Sequence, residues 1–461
     1  MNHSGHSLDL ERSSLLTDLY QLTMIAAYFE NEFNPQATFE LFIRKMPENR
    51  GYLIFAGLEQ ALEYLESLHF TSKEIRYLKS LPVFKNISSE FFDYLKSFRF
   101  SGEVWAPLEG ELCFAGEPLV RVTGPLIEAQ LVETYLLTIT NFQTLIATKA
   151  ARVVDAAKGK SVVDFGTRRA HGPEAAVLAA RASFIGGCAG TSNVHAAMKL
   201  GIPPVGTMAH SFVMAFDSED EAFEAYRRCF PESTTLLIDT YDTVAAARKV
   251  SRINKPVSAV RLDSGDLARV SKKVRDILDR AGKKGIQIIA SSDLNEYIID
   301  RLLSEGSPID LFGVGTEMVT SKDAPALGGV YKLVEIMERG TVIPKIKLSS
   351  AKATYPGKKQ VFREASVRGF YTRDIVAGCD EKIPGRPVLK RVIAKGKATL
   401  SPESLEHIRE RSLKERAKIP ESVRRLENPR TYPVQYSRFL KGELRRLRDG
   451  IRSEGSGEHE R

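Results

Sequence analysis

The sequence predicts an α/β protein whose central part, residues 141–320, is a barrel of parallel strands. Short apolar segments rich in Val and Ile alternate there with longer segments of helical period, the pattern of repeated βα units. Polar clusters follow nearly every apolar segment, as expected where the carboxyl ends of barrel strands form a rim. The chain of 461 residues, 43% hydrophobic and 27% charged, is long enough for roughly two or three domains.

The strands and helices of the barrel are predicted from these alternating periods. The predicted strands are Ser161–Phe165, Phe184–Gly187, Pro204–Thr207, Leu236–Asp239, Ala259–Leu262, Gln287–Ala290 and Leu311–Val314. The predicted helices are Asn141–Ala157, Glu219–Cys229, Val244–Ser251, Leu267–Arg280 and Glu296–Ser304. Asp266 is the expected N-cap of the fourth helix.

The segments on either side of the barrel carry a mixed pattern. Residues 1–140 are predicted as an N-terminal α/β domain, with helices at Thr17–Phe29 and Leu58–Leu68 and strands at Ala37–Ile43 and Glu111–Thr123. Residues 321–420 form a strand-containing segment (Val330–Met337 and Thr341–Leu348) with a basic loop, expected to pack on the N-terminal domain. Residues 421–461 are predicted as a basic helical tail.

Net charge, hydropathy and cysteine content limit the binding partners and the cellular compartment that can be expected. A net charge of +8 suits nucleic acid, a membrane surface or phosphate-rich small molecules, although a basic amphipathic tail accounts for much of it. No apolar run is long enough to cross a bilayer, and the first residues lack the pattern of a signal peptide. The four cysteines are far apart, so they indicate neither a zinc site nor disulfides, and a reducing cytoplasm is expected.

The polar clusters at the predicted strand ends are the candidate site. Ordinary loop composition explains one or two such clusters, but a run of them in register favours an active-site rim. The clusters are Gly166-Thr-Arg-Arg169, Gly206-Thr-Met-Ala-His210, Asp239-Thr240, Asp263-Ser-Gly-Asp266, Ser291-Ser-Asp293 and Gly313-Val-Gly-Thr316.

Three of these clusters suggest particular chemistry. The backbone N–H groups of Gly313-Val-Gly-Thr316 can close around a phosphate. Arg261 and Asp263 are two residues apart on one strand face, where they could bind an anionic substrate and a ribose or Mg²⁺, or simply form a salt bridge. His210 is a candidate base, phosphate binder or phosphoryl acceptor, with a structural role as the alternative.

Basic residues outside the barrel form a second candidate group. They lie near Gly, Ser and Pro and could reach phosphates from a loop, although exposure to solvent is their default interpretation. They are Arg44, Lys45, Lys345, Lys347, Lys352, Lys358, Lys359 and Arg363.

Taken together, these motifs resemble the nicotinate phosphoribosyltransferase family across nearly the whole chain. The resemblance rests on Thr17-Asp-Leu-Tyr-Gln-Leu-Thr-Met24, Phe39-Glu-Leu-Phe-Ile-Arg-Lys45, Asp164-Phe-Gly-Thr-Arg-Arg169, Gly206-Thr-Met-Ala-His-Ser-Phe212, Val260-Arg-Leu-Asp-Ser-Gly-Asp266, Gly313-Val-Gly-Thr316 and Gly328-Gly-Val-Tyr-Lys-Leu333. It implies a type II phosphoribosyltransferase fold, in which an incomplete (β/α) barrel accompanies an N-terminal α/β domain and a C-terminal extension. It also implies a homodimer whose active sites are shared between subunits.

The same resemblance implies roles for individual residues. His210 would be the phosphorylated histidine, and Tyr20 of the partner subunit would stack on the nicotinate ring opposite Phe165. Arg261 would hold the nicotinate carboxylate region, and Thr207 would line the ring site. The residues implied to contact phosphoribosyl pyrophosphate are Arg168, Asp239, Asp263, Gly313, Gly315 and Thr316.

The implied reaction joins nicotinate to phosphoribosyl pyrophosphate, gives nicotinate mononucleotide and pyrophosphate, and serves NAD biosynthesis. ATP would be a co-substrate of this ligase-type enzyme and Mg²⁺ its cofactor, with the metal ligands left open and no nucleic acid or membrane partner. The cysteine-based metal knuckle of some members is not expected here, because the four cysteines are dispersed. The alternatives are a nicotinamide or quinolinate phosphoribosyltransferase and a non-catalytic barrel that binds phosphate or nucleic acid.

Overall fold

The structure is a computed structural model that describes residues 14–348 and 354–457, the last six of them as backbone only. The predicted phosphate-side Lys352 lies outside this range. The described chain forms two compact units. The first contains residues up to 144 together with residues from 326 onward, and the second contains residues 145–325.

The first unit is built on a seven-stranded antiparallel sheet. Each strand pairs antiparallel with its neighbour, which allows the apolar faces of alternating residues to be buried against helices. In sheet order the strands are Thr341–Pro344, Gly329–Glu338, Gln36–Ile43, Pro118–Pro125, Glu103–Ala106, Lys390–Ala394 and Lys397–Ala398. The predicted strand Glu111–Thr123 is wrong as one element, because a turn divides it into Leu112–Cys113 and Pro118–Pro125.

Two smaller sheets complete the strands of the first unit. Leu53–Ile54 pairs with Leu112–Cys113, and a four-stranded sheet has the order Arg386–Pro387, Lys359–Ala365, Tyr371–Gly378 and Val434–Tyr436. The helices around them are Leu19–Glu30, Leu58–Ser67, Ser72–Ser80, Ser89–Ser97, Leu126–Leu131, Leu405–Ala417, Glu421–Arg424 and Arg438–Gly457, with a 3-10 turn at Pro82–Phe84.

The prediction that Lys359 and Arg363 reach phosphates from a loop is wrong. Both residues lie in the strand Lys359–Ala365 and both are buried. Lys359 Nζ is 2.9 Å from Glu40 Oε2, and Arg363 Nη2 is 2.6 Å from Asp374 Oδ2. Each cation is therefore neutralised inside the fold, as buried charges require.

The second unit contains a six-stranded sheet in which every pair of neighbours is parallel, so the prediction of the α/β class is confirmed. In sheet order its strands are Gly190–Thr191, Ser161–Asp164, Leu311–Val314, Gln287–Ala290, Ala259–Leu262 and Thr235–Leu237. Ser161–Asp164, the first strand of this sheet in chain order, pairs with Leu311–Val314, the last, and Pro204 adds a single parallel bridge to Thr191. All carboxyl ends therefore lie along one edge of this sheet.

Two predicted strands are wrong. Phe184 and Ile185 end the helix Pro173–Ile185, since their apolar side chains continue the buried face of that helix into a Gly-Gly stop. Pro204–Thr207 contributes only the bridge at Pro204, and the second strand of the sheet in chain order is instead Gly190–Thr191.

The helices of the second unit connect its strands. They are Pro173–Ile185, Val194–Leu200, His210–Met214, Glu219–Cys229, Thr243–Ser251, Leu267–Arg280, Glu296–Ser304 and Thr316–Val319, with a 3-10 turn at Thr167–Arg169. The helix Glu133–Ala156 begins in the first unit and ends in the second. Asp266 caps its helix as predicted, since its Oδ1 accepts a hydrogen bond from Arg269 N over 3.1 Å. Among the described residues, no helix is long and apolar enough to span a membrane.

Candidate active site

A pocket of about 450 Å³ opens at the carboxyl ends of the parallel strands in the second unit. Its size suits a small molecule, and its position is where parallel α/β folds bind ligands. The pocket is lined by Phe165, Arg168, Arg169, Ser192, Gly206, Thr207, Met208, Ala209, His210, Leu237, Arg261, Asp263, Ser291, Ser292, Asp293, Gly313, Gly315 and Thr316.

Arg261 is held in one orientation in this pocket by several neighbours. Its Nη2 donates to Asp263 Oδ1 over 2.9 Å, and its Nη1 donates to Thr207 Oγ1 over 3.0 Å. Its Nε donates to Ser291 Oγ over 2.8 Å, and the guanidinium carbon lies 5.5 Å from the centroid of the Phe165 ring. The strand Ala259–Leu262 therefore presents a fixed, mostly buried cation beside an aromatic face.

Two aspartates follow neighbouring strands beside Arg261. Asp239 Oδ2 accepts hydrogen bonds from Asp263 N over 2.8 Å and from Ser264 Oγ over 2.6 Å. The other oxygen, Asp239 Oδ1, is buried and has no hydrogen-bond partner in the described part of the chain. A buried carboxylate oxygen without a donor is costly, so this atom suits a ligand hydroxyl or a cation.

His210 begins the short helix His210–Met214 and is partly exposed. Its Nδ1 lies 3.2 Å from Thr240 Oγ1, and its Nε2 lies 3.8 Å from Asp263 Oδ2. In the tautomer whose Nδ1–H donates to Thr240, Nε2 keeps its lone pair. The imidazole is therefore held beside the carboxylate of Asp263 with one nitrogen available.

The loop after the strand Ser161–Asp164 carries Phe165 and Arg168. Asp164 is buried, and its carboxylate accepts hydrogen bonds from Gly166 N over 2.8 Å and from Thr191 Oγ1 over 2.7 Å. Burial raises the pKa of Asp164 above its usual value, while these two donors lower it. Asp164 thus fixes the start of a loop whose two arginines, Arg168 and Arg169, point exposed side chains at the pocket.

The glycines at the last strand have little room beside them. A Cβ built on Gly313 would lie 2.4 Å from Phe165 Cδ2, and one built on Gly315 would lie 3.2 Å from Phe165 O. The absence of a side chain at both positions lets the Gly313–Thr316 backbone approach both Phe165 and the pocket.

Tyr20 and a group of cations belong to the first unit. Tyr20 lies on the helix Leu19–Glu30 with 51% of its surface exposed. Burial lowers the pKa of Lys332, and the nearby charges of Arg44 and Lys347 lower it further, while Glu133 raises it. Arg44 and Lys347 therefore lie close enough to Lys332 to affect its pKa.

Comparison with known proteins identifies the family. Sequence models of the nicotinate phosphoribosyltransferase N-terminal domain, of the family itself and of its C-terminal domain match residues 15–141, 160–369 and 384–442. A nicotinate phosphoribosyltransferase of Mycobacterium tuberculosis is 46% identical over 443 residues, which cover 94% of each chain. The chain belongs to the nicotinate phosphoribosyltransferase family. The nicotinate phosphoribosyltransferase of Bacillus subtilis is 43% identical over 80% of this chain and 77% of its own.

Solved structures agree with this family assignment. The structure of human nicotinic acid phosphoribosyltransferase matches 94% of this chain and all of its own, with a TM-score of 0.83 and 28% identity. A nicotinate-nucleotide pyrophosphorylase of Pyrococcus furiosus matches 91% of this chain and 99% of its own, with a TM-score of 0.73 and 25% identity. The fold of the family therefore extends over nearly the whole chain.

The pocket is lined by all the residues to which the resemblance gives a role except two: Asp239, whose Oδ2 accepts from the backbone N of Asp263, and Tyr20, which belongs to the other unit. Sequence reasoning did not single out Ser192 and Met208. Ser192 follows the strand Gly190–Thr191, whose two residues are too few to show a period. Met208 lies inside a cluster that was nominated for its polar residues. Ser291 belongs to a strand-end cluster that was nominated for the rim as a whole, without a binding role for Ser291 itself.

Proposed function

We propose that this protein transfers the phosphoribosyl group of phosphoribosyl pyrophosphate to nicotinate, which gives nicotinate mononucleotide and pyrophosphate for NAD biosynthesis. The observation that carries the proposal is the fixed Arg261 guanidinium beside Phe165 and Thr207 in the strand-end pocket. The family relatives named above support the same reaction.

The acceptor site requires a flat ring and a carboxylate to be held together. Phe165 offers an aromatic face, and Arg261 offers the cation that a carboxylate would pair with. Nη2 of Arg261 has two N–H groups, and Asp263 uses one of them. We therefore assign the nicotinate carboxylate to Arg261 and the side of the ring to Thr207.

The donor site is proposed to follow the glycine-rich end of the last strand. Backbone N–H groups at Gly313, Gly315 and Thr316 suit the ribose phosphate, and Arg168 supplies a cation at the same rim. The carboxylates of Asp239 and Asp263 suit ribose hydroxyls, because Asp239 Oδ1 has no donor in the described chain.

A magnesium ion fits this donor set only together with the substrate. The described residues contain no group of three or more His, Cys, Asp or Glu side chains that could hold a metal ion. Magnesium, however, binds through one or two carboxylates and substrate phosphates, so Asp239 and Asp263 are the residues that would hold it. When bound, the ion neutralises negative charge on the pyrophosphate.

The chemistry places opposite demands on the two sides of the ribose. Positive charge develops at the anomeric carbon as its bond to pyrophosphate breaks, and a carboxylate such as Asp263 stabilises that charge. Negative charge grows on the leaving pyrophosphate, which cations stabilise. Arg168 serves this role at the rim of the pocket. Holding the ring nitrogen in line with the anomeric carbon supplies the remaining acceleration.

ATP is proposed to enter through His210. Nε2, with its lone pair free when Nδ1–H donates to Thr240, attacks the γ-phosphorus of ATP. An N–P bond forms, the bond to the β-phosphate oxygen breaks, and ADP leaves. The phosphohistidine then adds negative charge beside Asp263.

A homodimer with shared active sites is supported by exposed apolar side chains on each unit. In the second unit, Val194, Met198 and Met214 are largely exposed, and in the first unit Leu19 and Tyr20 are half exposed. Adjacent exposed apolar groups mark interaction surfaces, and Val194 and Met198 are one turn apart on the helix Val194–Leu200. We propose that Tyr20 of the partner subunit stacks on the nicotinate ring opposite Phe165.

The parallel sheet is proposed to be the wall of an incomplete barrel. Its support is the pairing of the first strand, Ser161–Asp164, with the last, Leu311–Val314, which leaves one interruption between Pro204 and Thr235.

A cytoplasmic location is proposed as well, because the buried Cys113 and Cys188 are free thiols, as expected in a reducing compartment.

Product analysis tests the proposed function. The purified protein is incubated with magnesium, phosphoribosyl pyrophosphate and one of three acceptors: nicotinate, nicotinamide or quinolinate. We expect nicotinate mononucleotide and pyrophosphate in equal amounts, with ADP formed in parallel when ATP is present. If a mononucleotide formed only from nicotinamide or only from quinolinate, the protein would be the phosphoribosyltransferase for that acceptor. If no acceptor gave a product, the protein would be a non-catalytic barrel.

A further inference from the structure

Ser291 lies between the two charged side chains of the acceptor site. It follows the strand Gln287–Ala290, and only 2% of its surface is exposed. Its backbone N donates to Leu262 O over 2.8 Å, which joins it to the strand that carries Arg261. The position of the Ser291 hydroxyl is therefore set by the sheet itself.

The hydroxyl closes a ring of hydrogen bonds with Arg261 and Asp263. Ser291 Oγ accepts from Arg261 Nε over 2.8 Å and lies 2.5 Å from Asp263 Oδ1, to which it donates. Asp263 Oδ1 accepts also from Arg261 Nη2 over 2.9 Å. A hydroxyl has one proton and two lone pairs, so a single serine can satisfy both partners at once.

We propose that Ser291 is a positioning residue for the acceptor: it fixes the rotation of the Arg261 guanidinium so that its remaining N–H of Nη2 meets the nicotinate carboxylate. This inference rests on the proposed function and deepens it. The planar guanidinium has a rigid fork of donors, so rotation about its stem misdirects every donor together. Without the serine hydroxyl, the mostly buried Nε–H loses its acceptor, and the side chain turns to find another.

Asp263 is affected less by the loss of this hydroxyl. Its backbone N donates to Asp239 Oδ2 and its Oδ2 lies beside His210, and neither contact involves Arg261 or Ser291. Loss of the Ser291 hydroxyl therefore affects the two substrates differently. Binding of nicotinate weakens, while binding of phosphoribosyl pyrophosphate changes little.

The test is a kinetic comparison of Ser291→Ala with a matched control, Ser271→Ala. Ser271 is also fully buried in the second unit, and within the described part of the chain its hydroxyl donates a hydrogen bond only to the backbone oxygen of Ala268 in its own helix, over 3.4 Å. We expect Ser291→Ala to raise the KM for nicotinate about ten-fold, since a hydrogen bond to a charged group is lost, with less than about a three-fold change in the KM for phosphoribosyl pyrophosphate. Ser271→Ala should behave as wild type, and both variants should melt within a few degrees of it.

A double-substitution cycle separates positioning from direct contact with substrate. Lysine has neither the Nε–H group nor the planar guanidinium that Ser291 is proposed to orient. In an Arg261→Lys background, the further change Ser291→Ala should therefore alter the KM for nicotinate by less than about two-fold. A full ten-fold effect in that background, an unchanged nicotinate KM in Ser291→Ala, or an equal rise in both KM values would overturn the proposal. An inactive wild-type protein would instead overturn the proposed function.

Discussion

Gly313 faces the ring of Phe165 so closely that a Cβ on Gly313 would lie 2.4 Å from Phe165 Cδ2. Real Cβ atoms do not approach a ring carbon to that distance, so either the ring or the backbone of the last strand would have to move. Phe165 supports the Arg261 guanidinium from one side. The position of the Phe165 ring, and with it the geometry of the acceptor site, therefore depends on the absence of a side chain at Gly313.

Gly313→Ala should displace the Phe165 ring and weaken nicotinate binding. We expect kcat/KM for nicotinate to fall at least about ten-fold and the melting temperature to drop, because overpacking costs about 1–3 kcal/mol. Gly285→Ala is the control, since a Cβ on Gly285 meets nothing within 4 Å. Equal activity of the two variants would show that the close approach at Gly313 has no part in acceptor binding.

Tyr20→Ala and His210→Ala test the shared active site. At low phosphoribosyl pyrophosphate each variant alone should be nearly inactive, because each loses one component of every site. Co-expressed and purified as a heterodimer, the two should recover roughly a quarter to a half of wild-type activity, since one of the two sites is then intact. The control is a mixture of the separately purified variants that has not exchanged subunits. Absence of recovery in the heterodimer would mean that Tyr20 and His210 serve a site within one chain.

His210 should carry a phosphoryl group after incubation with γ-labelled ATP. Phosphohistidine is labile in acid and stable in base, so label of that stability should appear on wild type and be absent from His210→Ala. We expect the variant to lose ATP hydrolysis but to keep slow transfer to nicotinate at high phosphoribosyl pyrophosphate, because Arg261 and Arg168 remain. Label on the variant would show that another residue accepts the phosphoryl group.

The pH dependence of stability should show whether the buried Glu117 of the first unit is protonated in the folded protein. Burial raises the pKa of Glu117 well above its usual value, the negative charge of Asp374 raises it further, and Arg363 lowers it. An acid whose pKa is raised on folding stays protonated in the native state. The native protein therefore loses stability relative to the unfolded chain as pH rises above the unfolded pKa.

Glu117→Gln removes this penalty, because the amide keeps the shape of the protonated acid. Compared with wild type, its melting temperature should rise as the pH is raised from 5 to 8, because only wild type must keep a buried acid protonated as the solution becomes more basic. Asp374→Asn is the contrast and should destabilise the protein throughout this range, because Arg363 loses its carboxylate. A constant difference between Glu117→Gln and wild type would show that Glu117 is ionised in the folded protein.

The sequence predicts those parts of the fold that short-range patterns determine. The boundaries of Ala259–Leu262, Gln287–Ala290 and Leu311–Val314 coincide with the structure, because each is a short, largely apolar run that contains Val, Ile or Phe and is followed directly by polar or glycine residues. The two-residue spacing of Arg261 and Asp263 likewise predicted the contact that their side chains make.

Other features depend on residues far apart in the chain. Phe184–Gly187 has the composition of a strand end, yet a helix that begins at Pro173 continues through Ile185. Arg363 is buried because Asp374 lies opposite it on the paired strand, which no local pattern indicates. The Ser291 hydroxyl joins Arg261 to Asp263 only because two parallel strands bring them together.

The preference for the acceptor tests the role of Arg261 most directly. Wild type and Arg261→Ala are compared with nicotinate and with nicotinamide at saturating phosphoribosyl pyrophosphate. For wild type we predict a kcat/KM for nicotinate at least about 100-fold above that for nicotinamide, because the neutral amide cannot replace a carboxylate beside a mostly buried cation. Arg261→Ala should lower the value for nicotinate at least about 100-fold and that for nicotinamide little, so that the preference disappears while the melting temperature falls by only a few degrees. A variant that keeps the wild-type preference for nicotinate, or a wild type that uses nicotinamide equally well, would contradict the account.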